Sequence, residues 1–348
     1  MPIKSLSPHY KVIPWMSPSS GTLPDKYILN VYIWEGLKAN VPVIVTYEQE
    51  NINPLGRTGD SNVSISRLIN DFLTTSLISN STTSLNDANN LVWVKTEVIY
   101  YIDGVAQAPE FEEIDYALKG YGYGMEGVNP TIPTNNYLAT TAEQKVSSDS
   151  TYLFSFLASE TVDTVIKLND LVLTKTATTD STELVQSVYI KVSEFDTDYI
   201  EIYKDDVLIT TLLITDEPRY IPIDIVFQNK EGQLQTITFF KEKTDKIKTT
   251  SKEFESSIGQ PLAGIHQFRT YNVNAKKNFK INSGFVLEDN NEIFLQLLYS
   301  AKVWQIENNI YIPLNVKTSS FELKTRQKER LINYSIEFAY SFNEINTI

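Results

Sequence analysis

The sequence contains no cysteine. That excludes disulfides, thiolate zinc sites and a cysteine nucleophile, and it fits assembly in a reducing cytoplasm. Histidine is nearly as scarce, with only His9 and His266 in 348 residues. His9 sits in a Pro/Ser-rich opening and His266 follows "PLAGI". Neither belongs to a recognisable catalytic pattern, and no G-x-S-x-G elbow occurs. Long apolar runs are missing too. The longest, "VLITTLLI", is too short to span a bilayer. The opening "MPIKSLSPHYKVIPWMSPSS" lacks the apolar stretch of a secretory leader. These absences lead us to expect a soluble chain with no membrane partner. Positive charge is also in deficit: 30 Lys and Arg stand against 43 Asp and Glu, a net charge of −13. A nucleic-acid partner is therefore not expected.

What the chain does have is aromatic residues, 20 tyrosines and 16 phenylalanines. With few histidines beside them, they suit β cores and contact surfaces better than acid–base chemistry. A length of 348 residues at 42% hydrophobic content allows two or three domains with real cores. The expected fold is mainly β and multi-domain: split β-barrel or β-sandwich domains, each with one short amphipathic helix, plus a middle β-sandwich. Residues 1–135 form the N-terminal β domain with a helix near 64–74. Residues 136–218 form the middle sandwich. Residues 219–348 form a barrel-like C-terminal domain with a helix near 289–300.

Hydrophobic period carries these assignments. "KYILNVYIW", "VPVIVTYEQ" and "LVWVKTEVIYYIDG" read as strands. Between the last two, Ile65, Leu68, Ile69, Phe72 and Leu73 recur at helical spacing, with Ser64 or Ser66 placed to cap. In the middle, short runs such as "TYLFSFLA" and "LVQSVYIKV" alternate with polar turns, as in a sandwich, and no helix is expected. "IYKDDVLI" is a hairpin signal. Further on, "YIPIDIVFQNKEGQLQTITFF" reads as a hairpin around Lys230-Glu231-Gly232. The stretch Lys241 to Lys252 is polar and lysine-rich, an exposed loop or arm. In "LEDNNEIFLQLLYSAKVW", Asp289 and Glu292 have capping-box spacing. Ile293, Phe294, Leu297, Leu298 and Ala301 then share a helical face. Ile332, Tyr334, Ile336, Phe338 and Tyr340 share one face of a closing strand.

Several residues invite a chemical reading, and each has a plainer one. "GYGMEG", Gly122 to Gly127, matches G-x-G-x-x-G. The "VNPTIPTNN" that follows cannot be the helix a dinucleotide site needs, so a glycine- and tyrosine-rich loop is expected. Glu112, Glu113 and Asp115 offer oxygens to a cation, but a solvated acidic face is the simpler account. Asp196 and Asp198, with Asp205 and Asp206 in the next turn, have the makings of a glycosidase-like pair, though carboxylates beside strand turns are commonplace. The lysines of 241–252 suit phosphate or a solvated segment. Trp93, Tyr100, Tyr121, Tyr123 and Trp304 are candidates for subunit contacts or for core. No residue is assigned a catalytic, cofactor-binding or metal role, and no enzyme activity is expected.

The unit "FRTYNVNAKKNFKINSGFVLEDNNEIFLQLLYSAKVW", with "NVKTSS" and "YSIEFAY" after it, resembles the C-terminal region of tail structural proteins from phages of Bacteroidetes hosts. A strand ending in an N-[ST]-G-F/Y turn and a helix ending in S-x-K-V-W carry the likeness. "SISRLINDFL" and "ALKGYGYGMEGVNP" are similar to N-terminal elements of the same proteins. The resemblance implies a virion structural protein forming a ring at the distal end or baseplate of a tail. Such a ring would be a homo-oligomer, a hexamer, docking neighbouring tube or hub proteins after assembly in the host cytoplasm. The alternative is a host-glycan-binding adhesin, with a polysaccharide depolymerase behind it.

Overall fold

The computed structural model describes all residues except 1, 18, 54–55, 57, 89, 178–183, 256–265, 321, 323–331 and 345–348. The N-terminal stretch contains β1 (Ile3–Lys4), β2 (Tyr10–Pro14), β3 (Lys26–Trp34), β4 (Tyr47–Ile52), β5 (Asp60–Ser64), α1 (Ser66–Asn70), β6 (Ser84–Asp87), β7 (Leu91–Ile102), β8 (Val105–Ala106) and β9 (Glu110–Leu118). Its main sheet runs β1-β9-β7-β3-β4, with β8 on β7. Strand period splits the side chains between two cores. Tyr27, Leu29, Val31 and Ile33 of β3 meet Val92, Val94, Val98 and Tyr100 of β7 on one face. Trp34 and Trp93 turn to the other.

A two-stranded ribbon of β2 and β5, together with α1, covers the first face. Ile65, Ile69 and Leu73 are buried there, and Leu68 and Phe72 flank them. The helical face is the expected one, but the helix is shorter than 64–74. After Asn70 the winding continues only through i→i+3 bonds, Phe72 N–H to Ile69 O and Leu73 N–H to Asn70 O. Thr74 and Thr75 are β-branched and favour leaving the helix. Neither Ser64 nor Ser66 caps it. Ile65 occupies the N-cap in a helical backbone conformation, without a side-chain cap.

The middle contains β10 (Gln144–Val146), β11 (Thr151–Leu157), β12 (Thr164–Leu168), β13 (Leu171–Lys175), β14 (Val185–Lys191), β15 (Tyr199–Lys204) and β16 (Val207–Ile214). One sheet is β10-β16-β15-β12-β13, the other β11-β14-β6. Tyr152, Phe154, Phe156, Val188 and Ile190 face Ile166, Leu168, Ile200, Ile202 and Leu212 to form a sandwich core. The reverse face is buried as well: Leu153 and Tyr189 pack on Val226 and Leu234. Burial on both faces is why "YLFSFL" lacks apolar–polar alternation, its one polar residue, Ser155, being buried against Ser187. The strand β6, from the N-terminal stretch, completes the smaller sheet. No α-helix occurs among the described residues here; Val192–Glu194 is a 3-10 turn.

The C-terminal stretch contains β17 (Ile223–Gln228), β18 (Leu234–Phe239), β19 (Lys243–Glu255), β20 (Phe268–Asn282), α2 (Asn291–Tyr299), β21 (Val303–Glu307), β22 (Ile310–Val316) and β23 (Ser335–Tyr340). They form one sheet, β18-β17-β21-β22-β23-β20-β19. On one face Ile293, Phe294 and Leu297 of α2 pack with Ile225, Phe227, Phe279, Ile332, Tyr334, Ile336 and Phe338, and Tyr340 flanks them. The other face meets the middle block. A sheet with only one neighbour on that side needs a cover for its second face, and α2 supplies it.

The capping box does not form. A 3-10 turn, Glu288–Asn290, leads into α2, and its N-cap Asn290 has helical angles and no side-chain cap. Glu292 is engaged elsewhere: its carboxylate accepts from Tyr123 Oη at 2.7 Å and Gln296 Nε2 at 2.8 Å. Ala301 lies beyond the helix and is exposed.

The three stretches meet at the β17–β18 turn. Asn229 Nδ2 donates to Leu138 O at 2.7 Å, and Tyr121 N–H donates to Lys230 O at 2.8 Å. Lys4 Nζ reaches Glu231 at 2.8–2.9 Å with both groups buried. Gly232 has φ +81°, and a Cβ there would lie 2.4 Å from the Lys119 carbonyl carbon. Only glycine tolerates both that angle and that approach.

Candidate functional site

Lys243–Glu255 is a strand, where the sequence suggested an exposed loop or arm. It pairs with β20 from Lys243↔Ile281 to Glu255↔Phe268, with a register shift between Thr250 and Lys252. β20 pairs with β23 only at Asn278–Asn282. From Ile247↔Lys277 outward, the two strands form a two-stranded ribbon with no third strand among the described residues; at its base Glu344 N–H donates to Ala275 O at 2.8 Å. Such ribbons are marginal alone. This one exposes Ile247, Phe254, Phe268 and Tyr271. Cross-strand neighbours share a face, so Lys252 and Phe254 stand beside Tyr271 and Arg269. The Phe254 and Tyr271 rings lie 5.7 Å apart, edge to face. β19 and β20 carry eight Lys and Arg against three Asp and Glu, a net charge of +5. The chain total is −13, so the remainder carries −18.

A second feature is a cleft of about 950 Å³ between the middle block and the C-terminal sheet. Tyr189, Lys191, Arg219, Tyr220, Gln305 and Asn309 line it. Arg219 stacks over Tyr220 at 5.2 Å, and Tyr189 Oη donates to Asn309 Oδ1 at 2.9 Å. At its floor, Asp224 accepts from Thr238 Oγ1 (2.7 Å), Ser150 Oγ (2.8 Å) and Thr151 N–H (3.0 Å).

Burial pushes the Asp224 carboxyl above its ordinary value of 3.8, against the pull of those three hydrogen bonds. The folded chain therefore holds this proton more tightly than the unfolded chain does. The resulting stabilisation is fully present below pH 3.8 and is lost as pH rises through the folded-state value. In denaturant unfolding, wild type should lose stability relative to Asp224→Asn as pH rises above 3.8. A difference independent of pH would contradict the burial of this carboxyl.

None of the four aspartates singled out in the sequence lines this cleft. Asp196 and Asp198 are exposed. Asp205 and Asp206 occupy the β15–β16 turn with φ of 49° and 66°, the geometry of a tight hairpin turn. Asp205 accepts from Val165 N–H at 2.9 Å and Lys204 Nζ at 2.8 Å. Burial pushes its carboxyl up, but these partners outweigh it and hold it below the usual value. Asp206 pairs with Lys167.

The acidic run on β9 is bridged by lysines. Glu113 and Asp115 meet Lys11, and Glu112 meets Lys95. No cluster of three potential metal ligands occurs among the described residues. His9 is buried, with Nδ1 unpartnered, and burial lowers its imidazole value, followed by Lys11. His266 is exposed.

The "GYGMEG" segment is a loop with a 3-10 turn, Gly124–Glu126. It is a link between blocks. The Tyr123 ring meets Tyr121 at 5.9 Å and Tyr299 of α2 at 6.3 Å, and Lys230 Nζ lies 4.5 Å above it. Trp93 and Tyr100 are core, and Trp304 is packed against the seam between the middle and C-terminal sheets. The sequence did not single out Asp224, Arg219 or Tyr220, and no local motif marks them. Compared with protein-family models and with curated proteins, the chain matches none.

Proposed function

We propose that this chain is a structural subunit of a phage virion. Copies close into a ring, a hexamer, at the distal end of the tail, and the ring docks neighbouring tube or hub proteins. No covalent chemistry is assigned to it. The observation that carries this reading is the arm: a basic ribbon with exposed aromatics, projecting from an acidic body. A ribbon of that length buries little within its own chain, so its purpose lies in contact with another. The layered β body gives a rigid base for it, and the resemblance of both ends of the sequence to tail proteins points the same way.

Replacing residues 247–277 with a two-residue Asp-Gly turn tests the reading. The body should unfold as cooperatively as wild type, since the ribbon lies outside the core clusters. Self-association, followed by light scattering on concentrated protein and by copy number in assembled tails, should be lost. One copy per tail, or assembly unchanged without the arm, would overturn the proposal.

The cleft favours a second reading, a host-glycan-binding adhesin. Tyr220 offers a ring to a sugar, and Lys191 and Arg219 offer charge to an acidic one. Binding of host capsular polysaccharide that Tyr220→Ala abolishes would favour the adhesin. Release of reducing ends, lost on Asp196→Asn, would instead make the protein a depolymerase.

A further inference from the structure

We propose that the arm of one copy adds as a strand to β4 of the next copy; this rests on the ring reading above. β4 is the outer strand of its sheet and pairs only with β3, from Lys26↔Ile52 to Val31↔Tyr47. Its other edge has no partner among the described residues. Natural proteins cover or blunt such edges. Here the edge is flanked by exposed apolar residues, Val43 at 98%, Ile44 at 82% and Ile52 at 65%. Glu48 and Glu50 are exposed on the strand itself.

The two edges match in charge, period and chemistry. Tyr47 turns inward against Phe72, so Glu48 and Glu50, offset from it by one residue and two apart, share the opposite face. Lys246 and Lys248 of β19 are likewise two apart and share a face. An antiparallel register that sets Lys246 opposite Glu50 sets Lys248 opposite Glu48 as well. In that register Phe254 reaches the end of β4 where Val43 and Ile44 are exposed. From Ile247 to Glu255 the arm has nine residues, roughly 30 Å at the usual rise per residue, more than the roughly 20 Å of a six-residue strand.

Other sheet edges fit worse. β18 is buried against β11, with Leu153 N–H donating to Thr236 Oγ1 at 3.0 Å. β13 exposes Leu171 and Val172, but its sequence LVLTK carries a lysine and no carboxylate, so it offers nothing to a basic arm. Joining β19 of one copy to β4 of the next uses two different patches. Such a contact is heterologous and closes into a ring when the rotation allows. Backbone hydrogen bonds supply the affinity of strand addition, and the lysine–glutamate pairs set register and partner.

Charge reversal tests this in the full chain. Glu48→Lys with Glu50→Lys, and separately Lys246→Glu with Lys248→Glu, should each weaken self-association by about tenfold or more, the effect of losing a little over 1 kcal/mol. An equal mixture of the two variants should reassemble, because each arm then meets an opposite β4. A single chain carrying all four changes should also return to near wild-type association. All four residues are exposed on strand edges, and thermal unfolding checks that each variant is folded. Glu48→Lys alone replaces the first pair if the double change does not fold. Unimpaired association in both variants would overturn the arm–β4 contact and leave the ring standing. Loss with the arm changes alone would place the arm elsewhere on the neighbour. A wild-type chain that stays single in solution and in tails would remove the ring reading and this contact together.

Discussion

Lys4→Met should destabilise the protein by about 3–5 kcal/mol at neutral pH, the usual cost of breaking a buried ion pair. Lys4 is 1% exposed, and its ammonium lies 2.8–2.9 Å from both Glu231 oxygens. The methionine keeps most of the volume and removes the charge, leaving Glu231 buried without its cation. Burial already pushes this carboxyl above 4.5, and Lys4 is the chief influence pulling it down. Without Lys4 the carboxyl value rises further, so acid relieves the variant by protonating Glu231. The variant's deficit should therefore shrink as pH falls toward 4.5. Adding Glu231→Gln should recover much of the loss. Denaturant midpoints across pH measure all three effects. A loss below about 1 kcal/mol at neutral pH, typical of an exposed pair, would show that the pair is solvated.

The position of this pair explains why so much rests on it. β1 pairs in parallel with β9, which carries Lys4 to the point where Lys119 and Gly120 cross the β17–β18 turn. The same turn holds Leu138 through Asn229, and α2 through the bond from Lys230 N–H to Gln296 Oε1 at 3.0 Å. Three stretches of chain are therefore tied together at four consecutive residues. In the sequence those residues read "NKEG", an ordinary hairpin turn. Local pattern identifies the turn and is silent about a partner 227 residues away.

The same distinction runs through the fold. Side-chain period was legible wherever one face is buried: Ile332, Tyr334, Ile336, Phe338 and Tyr340 fall on one core, as do Ile65, Ile69 and Leu73 on another. The strand nature of Lys243–Glu255 was not legible, because period announces a strand only when one face is apolar. This strand is exposed along nearly its whole length. What makes it a strand is pairing with β20, a partner only the fold supplies. The β6 strand joined a sheet of the middle block for the same reason. Helix caps failed differently. The sequence offered Ser64, Ser66 and Asp289 at plausible spacing, but both helices are entered from helical backbone angles. A side-chain cap needs an extended N-cap residue. At the cleft, Arg219 and Tyr220 come from a loop and Tyr189 from the smaller middle sheet, a juxtaposition with no linear signature.

Leu297→Ala should cost about 2–5 kcal/mol, the range for truncating a fully buried leucine. Leu297 has no exposed surface, and neither have its helix neighbours Ile293 and Phe294. The Phe294 ring is held between Tyr334 at 4.8 Å and Phe239 at 6.1 Å. Those rings belong to the sheet and its closing segment, so they cannot collapse far into the vacated volume, which favours the upper part of the range. Leu298, half-buried at the margin of the same cluster, has room to relax and should cost clearly less when truncated. The ordering, Leu297 above Leu298, tests the placement of α2 more sharply than either value alone. It separates a helix seated on Ile293 and Leu297 from one rotated by a single residue. Equal costs, or a Leu297→Ala change within about 0.5 kcal/mol, the scale of exposed substitutions, would mean that α2 does not cover the sheet with this face.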